Sequence, residues 1–135
     1  MTYNYLGAIG ECTLASGVTI SNQTALMTVD NIIHFCGDIS NSTISSGAQV
    51  LTLPSSFPRS STRKVCLCTI EHPSATPRYT TGYFVLSTNN ILYTAQAIAS
   101  TDIVHLNELQ FNLNEQFYSA TIGNTTGFTS PLDAR

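Results

Sequence analysis

Tryptophan is missing from this chain of 135 residues, and charge is scarce: five Lys and Arg and eight Asp and Glu. Soluble domains are usually about a quarter charged. Lack of Trp removes the largest stacking surface a protein offers a sugar ring. No apolar run approaches the ~20 residues that cross a bilayer as a helix, so no membrane insertion is expected. The start, Met1-Thr-Tyr-Asn-Tyr5, has neither the basic residues nor the unbroken apolar stretch of a secretory leader, so no signal peptide is expected. Basic residues cluster once, at Arg59, Arg63 and Lys64, in a chain of net charge −3. Nucleic-acid affinity rests on neutralising phosphates, so nucleic acid is excluded as the main partner and the cluster reads as a solvated rim.

The motifs of chemistry are missing too. His34, His72 and His105 form neither a closely spaced His pair nor a His-Glu-x-x-His helix. Glu11, Asp30, Asp38, Glu71, Asp102, Glu108, Glu115 and Asp133 give no local pair of the kind a glycosidase holds across a cleft. There is no Gly-x-Ser-x-Gly elbow and no Gly-rich phosphate loop. No enzymatic activity, no cofactor and no metal is expected. Cys66 and Cys68 are two apart in a strand pattern, so they share a face, where a bridge between them would be strained. Four free thiols, with Cys12 and Cys36 the other two, are the expectation; a bridge from Cys36 to Cys66 or Cys68 is the rival. The sequons at Asn22, Asn41 and Asn124 are what a Ser/Thr/Asn-rich chain produces by chance.

What is present is a series of short apolar segments separated by turn residues. Strands are predicted at 25–29, 32–38, 49–53, 65–70, 82–87, 91–97, 102–105, 108–113 and 116–122. Leu109, Phe111 and Leu113 alternate onto one face, as do Val65, Leu67 and Thr69. Ser87-Thr-Asn-Asn90 reads as a hairpin turn, because Asn tolerates left-handed φ. Leu106-Asn-Glu-Leu-Gln110 has the composition of a short helical turn, but its alternating continuation favours strand. Residues 1–23 read as an irregular N-terminal arm or linker with room for a first strand at its end, 24–122 as the β-sandwich, and 123–135 as a polar C-terminal tail. The fold class is all-β: an antiparallel sandwich, jelly-roll-like, whose edge strands need capping.

Asn31-Ile-Ile-His-Phe-Cys-Gly37 leads through a polar run to Val50-Leu-Thr-Leu53, and Pro54-Ser-Ser-Phe-Pro-Arg59 then stops the sheet. Two prolines four residues apart withhold ladder donors and fix φ, so the chain must leave the sheet there. The segment Leu53-Pro-Ser-Ser-Phe-Pro-Arg59 resembles the Leu-Pro-x-x-Phe/Tyr-x-Pro stretch between jelly-roll strands in head domains of phage tail fibres and receptor-binding proteins, with its second proline one place early. The wider pattern covers roughly residues 24–122. The resemblance implies a virion protein of a tail fibre, spike or baseplate, packed as a homotrimer among other virion proteins, that attaches the particle to a host cell-surface glycan without cleaving it.

The loop Glu71-His-Pro-Ser-Ala-Thr-Pro-Arg-Tyr-Thr-Thr81 is the first choice for a saccharide site. Two prolines stiffen it, lowering the entropy cost of binding, and it carries His72, Arg78 and Tyr79. The bland alternative is a stiffened surface connection. Tyr83 and Tyr93 lie on strands paired through the Ser87–Asn90 turn and read as subunit-interface residues, since Tyr is enriched there. A structural or assembly module of a virion with no ligand of its own, and a free-standing carbohydrate-binding or TNF-like domain of cellular origin, are the competing readings.

Overall fold

In the computed structural model, which describes residues 6–114, alternation decides which side of each strand is buried. Among the described residues ten strands form: β1 (Leu6–Gly10), β2 (Thr13–Leu14), β3 (Ile20–Thr28), β4 (Ile32–Ile39), β5 (Gln49–Thr52), β6 (Lys64–Glu71), β7 (Tyr79–Leu86), β8 (Ile91–Thr94), β9 (Ile103–His105) and β10 (Gln110–Asn112). In β6, Cys68 and Ile70 point inward while Val65 and Leu67 are exposed; in β7, Phe84 and Leu86 point inward while Tyr79 and Tyr83 are exposed. A period of two puts every second side chain on the same face.

All the strand pairs are antiparallel, in the order β1-β3-β4-β9-β6-β7-β8-β5-β2, with β10 continuing along β4 beyond β9. The expected antiparallel sandwich is realised as one curled sheet whose inner face closes on itself. Ile33, Phe35 and Ile39 of β4 meet Val50, Leu51, Phe84, Leu86, Leu92 and Val104 in a single core. Phe35 and Phe111 pack edge to face, with centroids 6.1 Å apart and planes at 90°, an arrangement favoured by the ring quadrupoles.

The prolines act as the sequence requires. β5 ends at Thr52, and the chain crosses the β7–β8 hairpin before entering β6. Asn90, at φ 60°, fastens the crossing: its Nδ2 donates to the carbonyls of Phe57 (3.1 Å) and Pro58 (3.2 Å), and its own carbonyl accepts from Leu53 N–H at 2.9 Å. Phe57 is buried beneath. The hairpin turn closes as expected, with Ser87 Oγ accepting from the N–H groups of Asn89 and Ile91, both at 3.2 Å.

Two expectations are corrected. Residues 6–14, read as part of an irregular arm, contribute β1 and β2, whereas the strand allowed at the end of the arm is the start of β3. Their apolar alternation is broken by Gly7 and Gly10, where a Cβ would come within 3.1 Å of Met27 and Pro54 respectively, so close packing replaced the side chains that would have announced a strand. The other correction is at Leu106–Glu108, a 3₁₀ turn where strand was favoured. Residues three apart eclipse in such a turn, which buries both Leu106 and Leu109 on one side. The predicted strand 116–122 and the tail 123–135 lie outside the described residues.

All four cysteines are unpaired thiols. Burial pushes Cys12 up to about 12, and burial, with the charges of Glu108 and Cys66 adding to it, does the same for Cys68. Cys36 is exposed.

Candidate functional site

The strand ends of β6, β7, β9 and β4 bring together the charged side chains that the sequence scatters. Glu71 ends β6 and Tyr79 opens β7, and the two are register partners. The loop between them is therefore closed at its base, with His72 N–H donating to Arg78 C=O and Ala75 N–H to His72 C=O. The Thr76–Pro77 peptide within it is cis.

Arg78 is spent largely on the loop itself. Its Nε and Nη2 donate to Glu71 Oε2 at 3.0 and 2.6 Å, and its Nη1 donates to Pro73 C=O at 3.1 Å. Its guanidinium carbon also stands 5.8 Å from the centre of the exposed Tyr79 ring. A guanidinium carries five N–H donors, and these bonds use three of them. The Glu71 side chain, only 12% exposed, is held below the usual carboxylate range by hydrogen bonds from Arg78 and His105.

Glu71 continues the chain of charges inward. Its Oε1 lies 3.2 Å from His105 Nε2, and His105 Nδ1 lies 2.9 Å from Asp38 Oδ1. Both ring nitrogens therefore face acceptors, which only the doubly protonated imidazolium satisfies. Partial burial works against that charge, but the bonds to Glu71 and Asp38 outweigh it and raise the His105 pKa.

His72 belongs to a different relay. Its Nδ1 lies 2.7 Å from Oδ1 of the buried Asp102, and its Nε2 lies 2.8 Å from Thr80 Oγ1. Asp102 Oδ2 accepts from Ala99 N–H at 2.9 Å, which fixes the carboxylate. The order hydroxyl, imidazole, carboxylate is that of a nucleophile, base and orienter. Acyl transfer also needs donors aimed where an oxyanion would develop, and the relay by itself supplies none. What it does is pin the loop to β7 and to the 99–102 turn. Beside it lies a shallow cavity of about 270 Å³, lined by His72, Pro73, Ser74, Ala75, Thr101 and Asp102.

The three residues singled out from sequence thus share one end of the sheet but not one pocket. His72 lines the cavity, whereas Arg78 and Tyr79 form an exposed edge outside it. Sequence reasoning missed Glu71, Asp38, Asp102 and His105 as partners. The legible signal was the opposite charge of Glu71 and Arg78 at the two ends of a proline-stiffened loop; His105 and Asp38 arrive only through the β4–β9 pairing. Among the described residues no group of His, Cys, Asp and Glu is arranged to hold a metal ion.

Tyr83 and Tyr93 sit on the outer face of the same sheet. Leu67 pairs with Tyr83, and Val65 with Val85, which in turn pairs with Tyr93. Val65, Leu67 and Tyr83 are 54, 64 and 46% exposed. This makes a continuous apolar stripe across three strands, the kind of surface a monomer rarely leaves wet.

The charge chain gives a pH signature. A raised His105 pKa contributes stability that is full below its ordinary value of about 6.5 and is lost as pH rises through the higher folded value. A lowered Glu71 pKa contributes stability that is full above 4.5 and is lost as pH falls through the lower folded value. The urea midpoint difference between the wild type and His105→Asn should therefore be largest between about pH 4.5 and 6.5 and shrink toward pH 8. A difference that grows with pH would contradict the imidazolium assignment.

No family profile matches the sequence, and no curated protein matches it. Among solved structures, the chain is similar in fold to the receptor binding protein (gp15) of Listeria phage PSA, with a TM-score of 0.58 and 15% identity. The match covers 77% of this chain and 63% of that one, so the chain spans less than two thirds of that protein.

Proposed function

We propose that this protein is a phage receptor-binding head that attaches a virion to a host cell-surface saccharide without cleaving it. The fold likeness to a phage receptor binding protein carries the reading. The Leu53–Arg59 crossing and the scarcity of charge agree with it. Recognition falls to the Arg78–Tyr79 edge: two guanidinium donors take hydroxyls or a carboxylate or phosphate of the glycan, and the Tyr79 ring stacks on sugar C–H groups. His72, braced by Asp102, holds the loop in place and offers its rim to the ligand. Tail-fibre, spike or baseplate proteins of the same virion are the structural partners.

Three copies pack through the stripe of Val65, Leu67, Tyr83, Val85 and Tyr93. Obligate interfaces are more apolar and less charged than open surface, and this face is both. Light scattering at micromolar concentration should give about three times the chain mass of 14.6 kDa, and Leu67→Glu should reduce it to one. A wild type that stays monomeric would contradict the assembly.

The attachment reading is tested on cells. Labelled protein should decorate bacterial cells from a strain panel, and periodate, which cleaves vicinal diols, should remove the decoration. Decoration that survives periodate would place the receptor outside the saccharides.

A further inference from the structure

A second recess, lined by neither Arg78 nor Tyr79, lies between β3, β4 and the 3₁₀ turn. It is about 410 Å³ in volume, lined by Ser21, Asn22, Cys36, Gly37, Asp38, His105 and Asn107. Small-molecule sites generally span about 300–1,000 Å³. A β-bulge builds it: Ser21 pairs with Asp38 and Thr24 with Cys36, so Asn22 and Gln23 together oppose Gly37 alone. Gln23 fixes the bulge, because its amide oxygen accepts from Cys12 N–H at 2.8 Å and its amide nitrogen donates to Cys12 C=O at 3.0 Å. Asn22 is held at φ 52° and lines the recess. Bulges commonly re-aim a side chain in this way beside functional sites.

The lining has a definite chemistry. Ser21 Oγ and the amides of Asn22 and Asn107 have no hydrogen-bond partner among the described residues. All three residues are exposed, and a hydroxylated ligand can replace the hydration of such groups bond for bond. Asp38 is oriented by His105 at 2.9 Å, and its side chain is 45% exposed. An anion is disfavoured, since the sole cationic group here is already shared between Asp38 and Glu71. A hydrophobic ligand would strand the amides. Neutral donors and acceptors around one fixed carboxylate fit a polyol.

We propose that this recess is a separate binding site for a neutral sugar unit, with Asn22, Asn107 and Asp38 as its contacts. It goes beyond the attachment edge: its own readout is local, so its failure leaves the attachment reading standing.

Cys36 supplies that readout, being an exposed thiol inside the recess, while Cys12 and Cys68 are buried. The full chain is treated with iodoacetamide, alone and with glucose, galactose, mannose, N-acetylglucosamine, rhamnose or glycerol, and labelling is followed by mass spectrometry of each cysteine peptide. At least one of these should slow Cys36 labelling about tenfold at ten times its Kd, by mass action, and leave Cys66 unchanged. Asn107→Ala, at an exposed position, should lose the protection at an unaltered urea midpoint, and Asn107→Trp should slow Cys36 labelling with no sugar present. The proposal is overturned if no member of the panel protects Cys36, or if protection survives Asn107→Ala.

Discussion

Replacing Gly37 with alanine should destabilise the protein by about 2–6 kcal/mol, combining backbone strain with overpacking. Gly37 adopts φ 107°, which side-chain-bearing residues rarely accept. A Cβ built there would stand 2.3 Å from Ser21 O and 2.9 Å from Ile20 Cγ2. The nearer atom is backbone, fixed by the β3–β4 ladder, so it has no rotamer into which to retreat. Gly47 is the internal control: it too has positive φ, 80°, but nothing lies within 4 Å of its Cβ. Gly47→Ala should therefore cost only the strain, about 1–3 kcal/mol. Urea unfolding of both variants checks this, and equal midpoints would show that β3 and β4 do not approach closely at the bulge.

The double variant Arg78→Ala with Tyr79→Ala should lose adsorption to cells. Removing charge-assisted hydrogen bonds costs about 1.5–3 kcal/mol, which is roughly 10–100-fold per site. The loss compounds when three copies engage together. Arg78→Lys separates recognition from charge: lysine keeps the cation but not the fork that holds Glu71 and Pro73, and should fall between wild type and double variant. Light scattering and urea midpoints must show the variants folded and assembled. Normal adsorption by a folded double variant would move the receptor site elsewhere, to a cleft between subunits.

The sequence told more of the fold than of the site, for physical reasons. Alternation in β6 and β7, the Ser87–Asn90 turn and the exit at Pro54 are local features, and each stands where the residues placed it. β1 was hidden because Gly7 and Gly10 save room for Met27 and Pro54, contacts that only the folded sheet creates. The 3₁₀ turn was hidden because Leu106 and Leu109 satisfy a helical spacing inside an alternating run. At the candidate site, Arg78 and Tyr79 were legible as exposed residues, although Tyr79 opens β7 rather than lying in the loop. Their charge relay was not, since Glu71, His105 and Asp38 lie on three strands joined by long-range pairing. That relay changes the meaning of Arg78, which is first of all a brace of its own loop.

The most direct measurement is a glycan array probed with the purified protein, followed by mass analysis of whatever glycan it retains. Retention of at least one glycan class at intact length, lost in the Arg78/Tyr79 double variant, is the expected result. A protein that retains no glycan and decorates no cell would contradict the account and favour the reading of a structural module. A glycan recovered in shortened form would contradict the non-enzymatic claim.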